Sequence, residues 1–297
     1  MIELLRKLLE NNVDIYEKDT NGKTALHYAA QNKCKEAVEI FIQYGAYLNS
    51  CDIYKQTALH YAVGRNCKEI VELLVSNGAD INAKNVNGHT ALYYIVSNDS
   101  KEIAEYLIAH GISINSQDCN GNTALHYAVQ SCNRDIVDVL LEHGAYVNLK
   151  NNNGCSAMFY TGDKEIMKLL ITYGAFMNLK DNKGLLPIHY AFYSNNIKAV
   201  KGFIKNGATI NEVDIYGQTL LFSAVYRNFF DMVKLLIKNG ISINAEDKEG
   251  LTILDYAICE DSMNEMVRLL ISFDAIGSSN GRYPNKLLFN CSNRNYK

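Results

Sequence analysis

Residues 24–29 read TALHYA, and the same six letters return at 57–62 and at 123–128. The first two copies lie 33 residues apart and the third lies two further periods on. An Asp precedes each copy, with a Gly three residues after it before the first and third copies, and a Leu-rich amphipathic run ending in Gly-Ala follows each. A fixed period of this size marks a repeat architecture, in which each unit buries its apolar face on its neighbours.

The period divides the chain. Residues 1–18 match only the back half of a unit, with Leu4, Leu5, Leu8 and Leu9 at helical spacing. That stretch is an abbreviated cap or the remainder of a longer array. Units of 33 residues follow at 19–51, 52–84, 85–117 and 118–150, then a shorter one at 151–180, then 181–213 and 214–246. A diverged unit at 247–277 ends the array, and 278–297 is a polar tail expected to be flexible. Inside a unit, Asp and Gly (Asp19 and Gly22, Asp118 and Gly121) form a tight turn. Thr24, Thr57, Thr90 and Thr123 then stand where a helix N-cap belongs. Two short helices follow, the second with an apolar stripe such as Ile70, Val71, Leu73 and Leu74. Gly45, Gly78, Gly111, Gly144, Gly174, Gly207 and Gly240 close that second helix. Glycine is therefore punctuation, and no GxxxxGK[ST] or GxGxxG phosphate loop is present.

These residues carry a resemblance. Asp52, Thr57, Leu59, His60, Ala62, Leu73, Leu74, Gly78, Ala79 and Asn82, with their counterparts, are similar to the ankyrin-repeat pattern, and the likeness runs from residue 19 to about 277. It implies an all-α solenoid of stacked helix-turn-helix units with projecting β-hairpin loops, and a concave face that binds other proteins. The chain departs from the family pattern in several places. Ala25, Ala58, Ala91, Ala124 and Ala157 replace the Pro after the cap, which only Pro187 keeps. Lys55 replaces a turn Gly. The 151–180 unit lacks three residues between Tyr160 and Lys164, which predicts a first helix of little more than a turn. Asp255 stands where a His is expected.

Several columns tempt a chemical reading. His27, His60, His126 and His189 recur at one position, but units stacked roughly 10 Å apart cannot bring neighbours within ligand distance of one zinc ion. The resemblance implies that they hydrogen-bond the adjoining turn. Tyr28, Tyr61, Tyr94, Tyr127, Tyr160, Tyr190 and Tyr256 form a second column, read as packing with a wet hydroxyl. Asn49, Asn82, Asn115, Asn148, Asn178, Asn211 and Asn244 form a third, read as bonding their own hairpin; in the family, asparaginyl hydroxylases act at this position. Lys35-Glu36, Lys68-Glu69, Lys101-Glu102 and Lys164-Glu165 read as a solvated face. Asp255 and Cys259 share a helix face but have no His beside them. No catalytic residue, metal site or cofactor is expected.

Bulk properties narrow the partners. A net charge of −3 leaves no basic footprint for nucleic acid. Eight cysteines without a CxxC pair, two of them (Cys34 and Cys67) at matching helix starts, suggest free thiols in a reducing compartment. The opening MIELLRKLLE carries charges through its apolar positions, and no long uncharged run follows, so membrane insertion is not expected. The expected setting is intracellular, cytoplasmic or nuclear. A monomer is expected unless the truncated N-terminal end mediates self-association.

The expected partner is a protein, held at positions that the repeat does not fix. In the family these are hairpin tips and the exposed end of the first helix. Here they are Ile53, Tyr54, Gln56 and Arg65 in the second unit, and Ile215, Tyr216, Gln218, Tyr226 and Arg227 in the seventh. His89 and Asn98 add to the third unit and Tyr193 to the sixth. Tyr and Arg dominate binding hot spots. An adaptor role is the leading expectation. A ubiquitin-ligase adaptor with its linking module after Gly277, or a substrate of asparaginyl hydroxylation, are the alternatives.

Overall fold

The computed structural model describes residues 2–11, 13–98, 100–259 and 263–278, the Asn98 side chain excepted. The tail that could carry a ligase-linking module lies outside these residues. The chain divides into two compact units, 1–176 and 177–297.

The first unit is built from α1 (Ile2–Glu10) and four pairs: α2 (Ala25–Gln31) and α3 (Lys35–Gln43), α4 (Ala58–Gly64) and α5 (Lys68–Ser76), α6 (Ala91–Asn98) and α7 (Lys101–Ala109), α8 (Ala124–Gln130) and α9 (Arg134–Glu142). It ends with a single 3-10 turn (Ala157–Tyr160) and α10 (Lys164–Thr172). Three missing residues amount to roughly one helical turn, so the inner helix of that repeat shrinks to this 3-10 turn. The second unit holds α11 (Pro187–Tyr193) with α12 (Ile197–Lys205), α13 (Leu220–Tyr226) with α14 (Phe230–Lys238), and α15 (Ile253–Ile258) with α16 (Asn264–Ile271).

Each inner helix starts where Thr, Ser or Leu in extended backbone precedes a helix-compatible Ala, Pro, Leu or Ile. Its apolar face is then buried, as with Leu59, Ala62 and Val63 of α4. The outer helix α5 buries Ile70, Val71 and Leu74 against the same layer. Truncating such a side chain to Ala costs about 2–5 kcal/mol. The outer helices end in Schellman geometry: Gly45 takes φ 79°, and Ala46 N–H reaches back to the Phe41 carbonyl at 2.9 Å. Among the described residues the projecting loops form no strands, and an isolated bridge pairs Glu246 with Thr252. The loops are held by side chains instead. Asp52 Oδ1, for example, accepts the N–H groups of Tyr54 and Gln56 at 2.8 Å each.

Candidate binding site

The turn is also tied to the helix behind it. Tyr61 donates its hydroxyl to Asp52 Oδ2 at 2.6 Å, and the same bond joins Tyr28 to Asp19, Tyr127 to Asp118, Tyr190 to Asp181 and Tyr256 to Asp247. Where the turn residue is Asn, the polarity reverses, and the amides of Asn85 and Asn151 donate to Tyr94 and Tyr160. The tyrosine hydroxyls are thus structural, not simply wet. Burial and the Asp52 carboxylate together push the Tyr61 phenol well above its ordinary value.

Histidine performs two tasks. Nδ1 of His60 accepts the Thr57 N–H at 3.1 Å and lies 2.9 Å from the Thr57 hydroxyl. With Nδ1 accepting, the proton sits on Nε2, which donates to the His89 carbonyl of the next repeat at 3.2 Å. His27 and His126 make the same bonds, to the Gln56 and Cys155 carbonyls. Burial holds all four column histidines below their ordinary pKa, which keeps the imidazoles neutral. In three repeats the His is Tyr93, Phe159 or Phe222. Their cap hydroxyls, on Thr90, Ser156 and Thr219, are the buried side-chain oxygens without a hydrogen-bond partner among the described residues. In the last repeat Asp255, fully buried, replaces the His and closes a capping box with Thr252. That carboxylate belongs to the scaffold.

The Asn column clamps the following repeat rather than its own loop. Asn82 Oδ1 accepts Ser113 N–H at 2.7 Å while its amide donates to the Gly111 carbonyl at 3.2 Å. Asn115, Asn148, Asn211 and Asn244 repeat the pair, and Asn49 and Asn178 accept the equivalent N–H. The lysines of the outer face also cross repeats. Lys35 lies 3.8 Å from Glu69, and Lys68 lies 2.9 Å from Glu102. Exposed pairs of this kind contribute about 0–1 kcal/mol each. Among the described residues no group of three or more His, Cys, Asp or Glu is arranged to hold a metal ion, and no disulfide joins Cys34, Cys51, Cys67, Cys119, Cys132, Cys155 or Cys259. No helix there is long and apolar enough to cross a membrane.

Against this scaffold the expected contact residues separate. In the first unit Ile53 and Tyr54 are 55% and 57% exposed at a turn tip, and Arg65 is exposed at the end of α4. Gln56 is drawn inward, its amide donating to Tyr94 Oη. His89 is half-buried, stacked on Tyr93 at 4.5 Å and 3.4 Å from Asp118 Oδ2. In the second unit Ile215 and Tyr216 are exposed at a turn tip. The Arg227 guanidinium lies 5.3 Å from the centroid of the Tyr193 ring, so these two residues form one surface pair. Tyr226 is half-buried and meets Tyr256 edge-on at 5.6 Å. Gln218 is only 6% exposed, with its amide 3.4 Å from Asp247, and so supports the scaffold rather than offering a contact. The Asn98 side chain lies outside the described residues.

One feature of the second unit was passed over in the sequence. A cavity of about 410 Å³ opens between the sixth and seventh repeats, lined by residues that include His189, Tyr193, Asp214 and Ser223. The turns bordering it are not laced together. At Ile53, Val86, Cys119, Asn152 and Lys248 the N–H after the turn Asp or Asn bonds a carbonyl of the previous turn, but Ile215 N–H has no such bond. A Cβ on Gly184 would meet nothing within 4 Å, whereas one on Gly217 would lie 2.9 Å from the next turn. The available sequence signal was a gap: the tyrosine column has no member in the seventh repeat, where Ser223 stands.

Residues 1–85, 83–151, 147–214 and 194–280 match the sequence model of ankyrin repeats in three copies. The chain therefore belongs to the ankyrin-repeat family, an all-α repeat fold whose members are generally protein-protein interaction modules. No curated protein matched the chain in a sequence comparison.

Proposed function

We propose that the protein is a non-enzymatic binding module or adaptor that holds a protein partner on its turn tips and inner-helix ends. The observation that carries this reading is the contrast between the hydrogen-bonded columns and the side chains displayed at the surface. The His, Tyr, Asp and Asn columns are consumed by hydrogen bonds within the stack. Ile53, Tyr54 and Arg65 in one unit, and Ile215, Tyr216 and the Tyr193–Arg227 pair in the other, are presented outward instead. Aromatic and Arg side chains of this kind supply large contact area and cation–π capacity to a protein interface. The engagement of every column histidine Nδ1 in a backbone N–H bond supports a structural rather than catalytic role for those residues.

The experiment is capture of partners from lysate by the intact protein and by two variants, Tyr54→Ala/Arg65→Ala and Tyr216→Ala/Arg227→Ala. Circular dichroism checks that both remain folded. A hot-spot residue contributes about 2 kcal/mol or more, so at least one variant should lose a partner by roughly 30-fold in affinity. Unchanged capture by both folded variants would reject this surface.

A further inference from the structure

The gap in the tyrosine column leaves a slot of defined chemistry. In four other repeats a Tyr ring meets the preceding repeat's column residue edge-on: His27 with Tyr61 at 5.8 Å, His60 with Tyr94 at 5.7 Å, His126 with Tyr160 at 6.0 Å and Phe222 with Tyr256 at 5.7 Å. The hydroxyl then bonds the turn Asp or Asn nine residues earlier. Ser223 stands at that position, 34 residues after His189 and nine after Asp214. His189 therefore has no ring across from it, and Asp214 has no phenol on Oδ2. Its Oδ1 still organises the turn through Tyr216 and Gln218 N–H, at 2.8 and 2.9 Å. Asp214 is exposed, whereas Asp52, Asp118, Asp181 and Asp247 are buried. The His189 Nε2–H lacks the carbonyl that its column mates use, because the equivalent carbonyl belongs to Gln218 across the opened seam. All of these groups line the same cavity of about 410 Å³, within the roughly 300–1,000 Å³ span of ordinary ligand pockets.

We propose that this cavity is a binding slot for a phenol, namely an exposed tyrosine side chain of a partner polypeptide. Its ring lies edge-on to His189, and its hydroxyl donates to Asp214 Oδ2. The partner thus supplies in trans the side chain that the other repeats supply themselves. The opened Ile215 N–H and His189 Nε2–H can each take a main-chain carbonyl flanking that tyrosine. Leu185, Val213 and Leu220 give the ring an apolar wall. This proposal deepens the reading of the protein as a binding module, because it names one residue type that the partner must present.

The test uses the intact protein and N-acetyl-L-tyrosinamide, followed by NMR of the His189 ring and the Ile215 methyl groups. A ligand of this size should saturate those shifts with a dissociation constant of about 1 mM. N-acetyl-L-phenylalaninamide should bind about 10-fold more weakly, because it lacks the donor for a charged acceptor. Ser223→Tyr should fill the slot and abolish binding of the tyrosine derivative. No saturable shift in the unmodified protein, or unchanged binding by a folded S223Y variant, would overturn the proposal. Equal binding of the two derivatives would also overturn it, and this comparison needs no variant. The probe is one amino-acid derivative, so failure of the slot leaves the partner-capture result standing. Loss of capture in the surface variants likewise leaves the slot standing.

Discussion

Two threonines at equivalent positions should respond in opposite directions to the same substitution. Thr57 and Thr90 each stand immediately before an inner helix, 2% and 1% exposed, and Val matches the β-branched shape of Thr. The Thr57 hydroxyl bonds His60 Nδ1 at 2.9 Å. The Thr90 hydroxyl has no partner, because Tyr93 replaces the histidine. Tyr93 recovers the other half of the task by bonding the Asn122 carbonyl of the next repeat. Thr57→Val therefore removes a satisfied buried bond and should cost about 1 kcal/mol. Thr90→Val removes an orphaned hydroxyl and should be neutral or stabilising by up to about 1 kcal/mol. The expected difference is about 1–2 kcal/mol, which paired urea titrations resolve. Far-UV circular dichroism would follow unfolding, and equal m-values would be required, since repeat arrays can lose two-state behaviour. Equal losses for the two substitutions would refute the assignment of the hydroxyl partners.

Other predictions follow from the same network. His27, His60 and His126 have pKa values lowered by burial, so the unfolded chain binds more protons below its ordinary histidine pKa of 6.5. Stability is then fully present above about pH 6.5 and declines as pH falls, with a slope approaching about 1.4 kcal/mol per pH unit for each histidine; a urea series from pH 7.5 to about pH 5 would show it. Gly121→Ala should cost more than Gly184→Ala. Both hold φ near 80°, but only at Gly121 would the Cβ fall within 2.7 Å of Asn152 atoms. The excess should be about 1–3 kcal/mol by thermal or urea unfolding. Asn82→Ala removes both clamp bonds and should cost about 1–3 kcal/mol, with faster amide exchange at Ser113 as the local readout. Lys68→Ala, by contrast, should leave the urea midpoint unchanged within experimental scatter, because its ion pairs are exposed and screened by solvent.

The fold was legible because a repeat writes its local rules many times over. The Thr caps, the closing glycines and the shortened helix before Tyr160 could all be read within one period. What ran between periods could not. Gln56 and Gln218 looked like free turn residues, yet they bond Tyr94 and Asp247, which lie 38 and 29 positions ahead. The Asn column pointed at its own loop on paper and at the next repeat in space, 29 to 31 positions on for Asn82. The phenols looked wet because nothing in one repeat states that the turn Asp lies within 2.6 Å. The candidate site was half legible. Exposed Tyr54, Arg65, Ile215 and Tyr216 could be picked out as positions that the columns do not fix, but the slot beside Ser223 shows itself only as a missing member of a column.

The central claim is that binding uses the turn tips and inner-helix ends and leaves the outer helices free. Amide hydrogen exchange of the intact protein, alone and with a captured partner, tests it directly. Slowed exchange at residues around Tyr54 and Arg65 or around Tyr216 and Arg227, with α3, α5 and α14 unchanged, is the predicted result. Protection confined to the outer helices, with both turn-tip segments exchanging as in the free protein, would contradict it.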